Sequence, residues 1–179
     1  MTFEQYLSRF NKTWAALVAL VSAAPWALLP IQLAPPWPSQ NGAASAAIAT
    51  VAALAGIVFA YLTGNRVRRD KNRGHYALAL SCLALLGYLA SWSIVCIEWE
   101  QEINGVFVTG RIVVGLIPID GAAGMSAKEI FSLHNLDGWT STSLLAARVL
   151  INALFSLIFF LLTYGFGSII FLIKSDADS

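Results

Sequence analysis

The sequence predicts an all-α integral membrane protein: a four-helix transmembrane bundle with a small extracytoplasmic β-hairpin/short-helix module between helices 3 and 4. The chain of 179 residues is 58% hydrophobic and 12% charged, whereas soluble domains are about one quarter charged. No Asp, Glu, Lys or Arg occurs at 13–65, 74–97 or 149–173. A helix needs about 20 apolar residues to cross a bilayer, so the first stretch is long enough for two spans. This pattern excludes a soluble globule, a disordered chain and a nucleic-acid-binding protein.

Proline and glycine residues set the boundaries of the predicted spans. Pro35, Pro36 and Pro38 interrupt the first stretch, because proline lacks an N–H donor and restricts the preceding residue. Gly64 and Asn65 end the second span. The predicted order is an amphipathic cytoplasmic N-terminus (1–12), span 1 (13–33), an outer loop (34–42), span 2 (43–63), a basic cytoplasmic loop (64–74), span 3 (75–97), an acidic extracytoplasmic module (98–144), span 4 (145–173) and a cytoplasmic tail (174–179).

The first span has an alternative interpretation as a cleaved signal peptide. Arg9 and Lys12 would form its basic region, and the sequence Ser22-Ala23-Ala24 would form its cleavage site. Pro25 directly after that site and the continuation of the apolar run to Leu33 favour a retained span.

The distribution of charge predicts the orientation of the spans, since Lys and Arg concentrate in cytoplasmic loops. The module 98–144 carries six acids and two bases, so it is placed outside the cell, with both termini inside. The predicted location is the plasma membrane, as in the inner membrane of a bacterium. Basic residues in the loop between spans 2 and 3 are expected to bind anionic lipid, at about 1 kcal/mol per charge. They are Arg66, Arg68, Arg69, Lys71 and Arg73.

The module has patterns of both strand and helix. Acidic residues alternate with other residues from Glu98 to Ile103, and the hairpin-forming pair Asn104–Gly105 follows. These features predict an antiparallel ribbon of two or three strands. Ser126 and Glu129 have the spacing of a capping box, which predicts a short helix over 127–134. Because so few strands are marginal alone, the module is expected to lean on the bundle or on a partner.

The sequence predicts no catalytic residues, no cofactor and no metal site. His75 and His134 are assigned to opposite sides of the membrane, and Cys82 and Cys96 are too far apart on one helix to form a disulfide. Two groups of residues are candidates for interaction. One is the polar stripe of span 4, at Arg148, Asn152 and Ser156. The other is the acidic row of the module, Glu98, Glu100 and Glu102, with Arg111 as a cross-strand partner.

Each candidate group has a structural alternative. Arg148 would extend to the outer headgroups while Asn152 makes an interhelical hydrogen bond, and the acidic row would only solvate the module. In span 2, small residues form two neighbouring rows that predict close helix packing. The rows are Ala52, Gly56 and Ala60, and Ser45, Ala49 and Ala53.

These observations favour a membrane protein that works without catalysis, through contacts with another membrane or envelope protein or with a second copy of itself. Accessory subunits, inhibitors and immunity factors work in this way. The layout is like that of immunity proteins against pore-forming bacteriocins, an analogy of architecture alone. The alternative is an oligomeric channel, holin-like pore or small transporter that uses the polar stripe of span 4. An intramembrane enzyme is disfavoured, because no nucleophile, base or metal set converges at one depth.

Overall fold

A computed structural model of the chain describes residues 12–30, 33–37, 42–64, 72–103 and 106–177. Five α-helices and two strands occur in these residues. The helices are α1 (Lys12–Ala27), α2 (Ala43–Leu62), α3 (Arg73–Val95), α4 (Ala127–His134) and α5 (Ser141–Ala177), and the strands are β1 (Cys96–Ile103) and β2 (Val106–Val113). The chain is therefore mostly helical with one small antiparallel sheet.

Three of the described helices are long and apolar enough to cross a membrane. They are α2 with 20 residues, α3 with 23 residues, and 32 residues of α5, Ser141–Leu172. The described part of α1 has 16 residues, which rise about 24 Å, less than a bilayer core about 30 Å thick. Its last turn contains Pro25, and the chain turns at 28–30. The structure thus confirms three of the four predicted membrane helices and does not confirm a four-helix bundle.

Helix α5 is the central element, because α2 and α3 both pack along it more extensively than along each other. The buried face of α2 consists almost entirely of small side chains: Ser45, Ala46, Ala49, Ala53, Gly56, Ile57 and Ala60. This face contains the predicted row Ser45, Ala49 and Ala53, together with Gly56 and Ala60 of the second predicted row. Ala52, the first residue of that second row, is only half-buried. Because an α-helix has 3.6 residues per turn, residues spaced four apart drift slowly around it, and the contact passes from one row to the next. The small side chains let α2 approach α5 closely.

Larger side chains fill the space between α3 and α5. The ring of Tyr88 on α3 lies 5.5 Å from that of Phe155, which meets Phe159 edge to face at 5.2 Å. Phe155 and Ile151 are almost completely buried. Aromatic rings supply large contact areas in these preferred geometries, so this cluster holds α3 on α5.

The outer module continues directly from α3. Strand β1 begins at Cys96, so the predicted third span, 75–97, extends two residues into the sheet. It pairs antiparallel with β2, with Glu98 opposite Arg111. The predicted turn at Asn104–Gly105 lies outside the described residues. A second apolar cluster, centred on Trp139, packs beneath the sheet. Its buried members are Val114, Ala122, Ile130 and Trp139.

Helix α4 begins with the predicted capping box. The Glu129 amide donates to the Ser126 hydroxyl at 3.3 Å, and the Ser126 amide donates to the Glu129 carboxylate at 2.7 Å. The bonds from the Ser126 backbone and side chain lower the pKa of Glu129, because they stabilise its ionised form. The capping box and the short helix that it predicts are confirmed.

Substitution of Gly56 by Ala tests the close approach of α2 to α5. A Cβ atom at this position would overlap the Thr163 hydroxyl and lie 2.5 Å from the Phe160 carbonyl oxygen. We expect Gly56→Ala to lower the free energy of unfolding by about 1–3 kcal/mol, as overpacking does. The measurement is steric-trap unfolding of the full chain in bicelles.

Gly87→Ala on α3 is the matched control. Its added Cβ would meet only Leu154, at 4.0 Å, so alanine there is expected to be neutral or stabilising by up to about 1 kcal/mol. Equal stability of the two variants would contradict the close packing of α2 and α5.

Candidate functional site

The polar stripe of α5 points into the bundle toward the N-terminal end of α5. Asn152 is 8% exposed, and its Nδ2 atom donates to the Trp37 carbonyl at 2.9 Å and to the Arg148 carbonyl at 3.0 Å. The Ser45 hydroxyl of α2 donates to Asn152 Oδ1 at 2.6 Å. We call Ser45, Asn152 and the carbonyls of Pro35 and Trp37 the polar junction. The interhelical hydrogen bond predicted for Asn152 is confirmed.

The segment 33–37 explains why a polar junction is present at this end of the bundle. It is not helical, so its carbonyl groups lack the partners that a helix would provide. The Ser45 oxygen lies 3.0 Å from the Pro35 carbonyl and 2.5 Å from the Trp37 carbonyl, and the Tyr88 hydroxyl donates to the Leu33 carbonyl. A buried backbone carbonyl without a donor costs free energy comparable to a lost hydrogen bond. Side chains of α3 and α5 donate to the backbone of this segment, and Ser45 of α2 holds Asn152 in place through its own hydrogen bond.

Arg148 lies one helical turn from Asn152, and its guanidinium carbon is 5.9 Å from the centre of the Trp37 ring. This separation is typical of a cation–π contact. The Nε atom of Arg148 is buried and has no hydrogen-bond acceptor in the described part of the chain. Ser156, the third residue of the predicted stripe, is half-buried and takes no part in the polar junction. The structure thus brings together Arg148 and Asn152 of the stripe, but not Ser156.

Within the side chains that the structure describes, the acidic row of the module forms a charge pair at Glu98. Glu98 accepts from the Arg111 Nε atom at 2.9 Å and from its Nη2 atom at 2.5 Å, so the predicted cross-strand partner is confirmed for this residue. Arg111 also lies 5.9 Å from the Trp92 ring. Glu100 is exposed opposite Thr109, and Glu102 stands opposite Phe107 in the register. Within the described residues, no group of three His, Cys, Asp or Glu side chains could hold a metal ion.

Cys96 lies at the junction of α3 and β1, beside this charge pair. Burial raises the pKa of its thiol to about 11, while Arg111 lowers the pKa and Glu98 raises it. Desolvation disfavours the charged thiolate, so Cys96 is a weak nucleophile at neutral pH.

The sequence alone does not predict that Trp37 and Ser45 contribute to the polar junction, or that Tyr88 donates to the Leu33 carbonyl beside it. In the sequence, Ser45 belongs to a row of small residues in span 2, and the prolines around Trp37 predict only the end of a helix. The run Pro35-Pro36-Trp37-Pro38 does indicate that side-chain donors lie nearby. A proline-rich segment beside a membrane lacks helical hydrogen bonds, so its carbonyl groups need donors from side chains.

In comparisons with known proteins, no family model matches the chain, and no similar curated protein or solved structure was found.

A double-mutant cycle at Ser45 and Asn152 tests the polar junction. We expect Ser45→Ala and Asn152→Ala each to destabilise the chain, and the two effects to be non-additive by about 0.6–1.7 kcal/mol, the range for hydrogen bonds between membrane helices. Unfolding free energies of the two single variants and the double variant give the coupling. Additive effects would show that the Ser45–Asn152 hydrogen bond does not stabilise the fold.

The alkylation rate of Cys96 tests the environment at the base of the module. In a Cys82→Ala chain, the rate with iodoacetamide is expected to rise about tenfold per pH unit and to keep rising through pH 10, because the thiolate forms near a pKa of about 11. Glu98→Gln is expected to move the inflection to lower pH, and Arg111→Gln to higher pH. An inflection near the ordinary thiol pKa of about 8.5 would rule out the burial of this residue.

Proposed function

We propose that this chain is a non-catalytic membrane protein that recognises another membrane or envelope protein through its outer module, as accessory, inhibitory and immunity-type factors do. The observation that carries the proposal is the contrast between two surfaces. Asn152 of the α5 stripe is bonded inside the bundle, whereas the module exposes large apolar side chains. These are Leu116 at 56%, Ile117 at 60% and Leu133 at 65% exposure.

The attachment of the module supports a role in recognition. Strand β1 continues α3 without a linker, and the Val114 amide donates to the Val95 carbonyl at 2.8 Å. The Thr140 amide, just before α5, donates to the Ile117 carbonyl at 3.0 Å. The module is thus fixed to two spanning helices, and a surface held in this way loses little conformational entropy when it binds.

We further propose four spans, with both termini in the cytoplasm of a plasma membrane. Helix α1 supports a first span at 13–33 because it packs on α2: Trp26 Nε1 donates to the Thr50 hydroxyl at 2.9 Å. The basic loop would bind anionic lipid on the cytoplasmic side through Arg73, the first residue of α3, and through Arg66, Arg68, Arg69 and Lys71, which lie outside the described residues.

A channel or transporter that uses the α5 stripe is less consistent with this geometry. A conducting path needs polar groups that face water, whereas Asn152 is 8% exposed and bonded to Ser45 and Trp37. The chain in liposomes is therefore expected to conduct no ions. Ion flux that Asn152→Leu abolishes would favour the channel instead.

Photocrosslinking in intact cells tests the proposed contact. A benzoyl-phenylalanine residue at Ile117 of the full chain is expected to give one discrete crosslinked product, either a distinct protein or a second copy of the chain. Leu133→Glu is expected to reduce this product at least about tenfold, since a charge in an apolar contact leaves an unpaired buried group.

Lys128→Glu on the same helix is the matched control, because it introduces the same residue at another exposed position of α4; it is expected to leave the product unchanged. A benzoyl-phenylalanine at Leu83, exposed on α3, controls for random encounters in the membrane. If Ile117 gives no discrete product, or only the products found at Leu83, the proposed contact does not exist.

A further inference from the structure

An apolar crevice of about 280 Å³ opens between the end of α1, α3 and α5. For comparison, an apolar cavity of about 150 Å³ can hold a benzene molecule. The residues that line the crevice are Ala24, Leu28, Leu33, Leu85, Tyr88, Leu89, Phe155, Ile158, Phe159 and Leu162. The hydroxyl of Tyr88 is already bonded to the Leu33 carbonyl, so these side chains offer an occupant apolar contacts.

The crevice lies at membrane depth and opens outward. Its α3 and α5 residues belong to two of the three helices that are long enough to span a bilayer. Leu85 and Leu89 on its rim are 43% and 45% exposed. The medium around a spanning helix at this depth is hydrocarbon, so lipid chains have direct access to the crevice.

Arg148 lies above the crevice on the same face of α5. It precedes Phe155 by two helical turns, or about 10 Å, and Leu162 by about 21 Å. The hydrocarbon of one leaflet is about 15 Å deep, half of the bilayer core. A headgroup at Arg148 would therefore place its acyl chain along the crevice. The segment 33–37 joins the two places, since Leu33 lines the crevice and Trp37 packs against Arg148.

The chemistry of Arg148 indicates the charged end of this ligand. Its buried Nε atom has no acceptor among the described residues, and the sequence has no Asp or Glu at 13–65 or 149–173. An uncompensated cation at this depth is costly. Guanidinium groups bind phosphate oxygens through paired hydrogen bonds, and phosphate is the anion that a bilayer supplies at its surface.

We propose that the crevice is a binding site for one phospholipid of the leaflet in which Arg148 lies, with the phosphate on Arg148 and one acyl chain between α3 and α5. Trp37 holds the guanidinium over the mouth of the site, and the polar junction fixes Trp37. The inference does not depend on the proposed contact function, because it concerns a different surface of the chain.

Photolabelling of the unaltered chain is the first test. The full chain is reconstituted in vesicles of equal parts phosphatidylcholine and phosphatidylglycerol, with a trace of phospholipid that carries a diazirine in its acyl chain. Labelled peptides are mapped by mass spectrometry. Labelling at Leu85, Leu89 and Leu162 is expected to exceed that at Val51 and Val58, which are exposed on α2. Equal labelling would mean annular lipid only, and unlabelled crevice residues would mean another occupant; either result overturns the proposal.

Native mass spectrometry of the same reconstituted chain, re-extracted in detergent, is the second test. One bound phospholipid per chain is expected. Ala24→Phe should remove it by filling the crevice, whereas Ala23→Phe, at an exposed neighbour that does not line it, should not. Arg148→Gln is expected to weaken retention about tenfold, and Arg148→Lys less, because a single ammonium keeps the charge but not the paired bonds. Retention unchanged in Ala24→Phe and Arg148→Gln would overturn the proposal.

Discussion

The cost of burying unsatisfied backbone groups governs how this chain is built. Between α1 and α2 the chain passes through 33–37 without helical hydrogen bonds, and Ala34 and Pro35 of this segment are buried, where a backbone carbonyl needs a donor from the protein. Asn152 of α5 donates to the Trp37 carbonyl and Tyr88 of α3 to the Leu33 carbonyl, while Ser45 of α2 donates its single hydroxyl hydrogen to Asn152. Because the three helices meet at the same segment through these bonds, the polar junction and the Tyr88 bond beside it also fix the relative positions of the three helices.

Dispersion forces and close approach provide the rest of the cohesion. Helices surrounded by lipid gain little from the hydrophobic effect, so tight contact between small side chains replaces it. Gly56 lets α2 touch the backbone of α5 at Phe160. Gly74, in the first turn of α3, and Gly165, toward the C-terminal end of α5, let these two helices approach each other closely. The module has an apolar core of its own around Trp139, and removal of apolar surface from water stabilises a core of this kind.

The sequence was a good guide wherever a local rule acts. Charge-free stretches predicted the three long helices, the Ser126–Glu129 spacing predicted the capping box, and alternation predicted the pairing of Glu98 with Arg111. It was a poor guide where distant residues cooperate. Nothing local showed that Ser45 and Asn152, 107 positions apart, would meet, because hydropathy does not encode which helix faces which.

The central claim is that α2 and α5 meet at Ser45 and Asn152, and proximity crosslinking tests it most directly. The chain would carry Ser45→Cys and Asn152→Cys, Cys82→Ala and Cys96→Ala, and a protease site in the link 64–74. In membranes, a short bifunctional thiol reagent followed by proteolysis should keep the two fragments joined on a non-reducing gel. Ala47→Cys with Asn152→Cys should leave them separate, since Ala47 is exposed on α2. Equal joining of both pairs, or of neither, would contradict the arrangement of the helices described here.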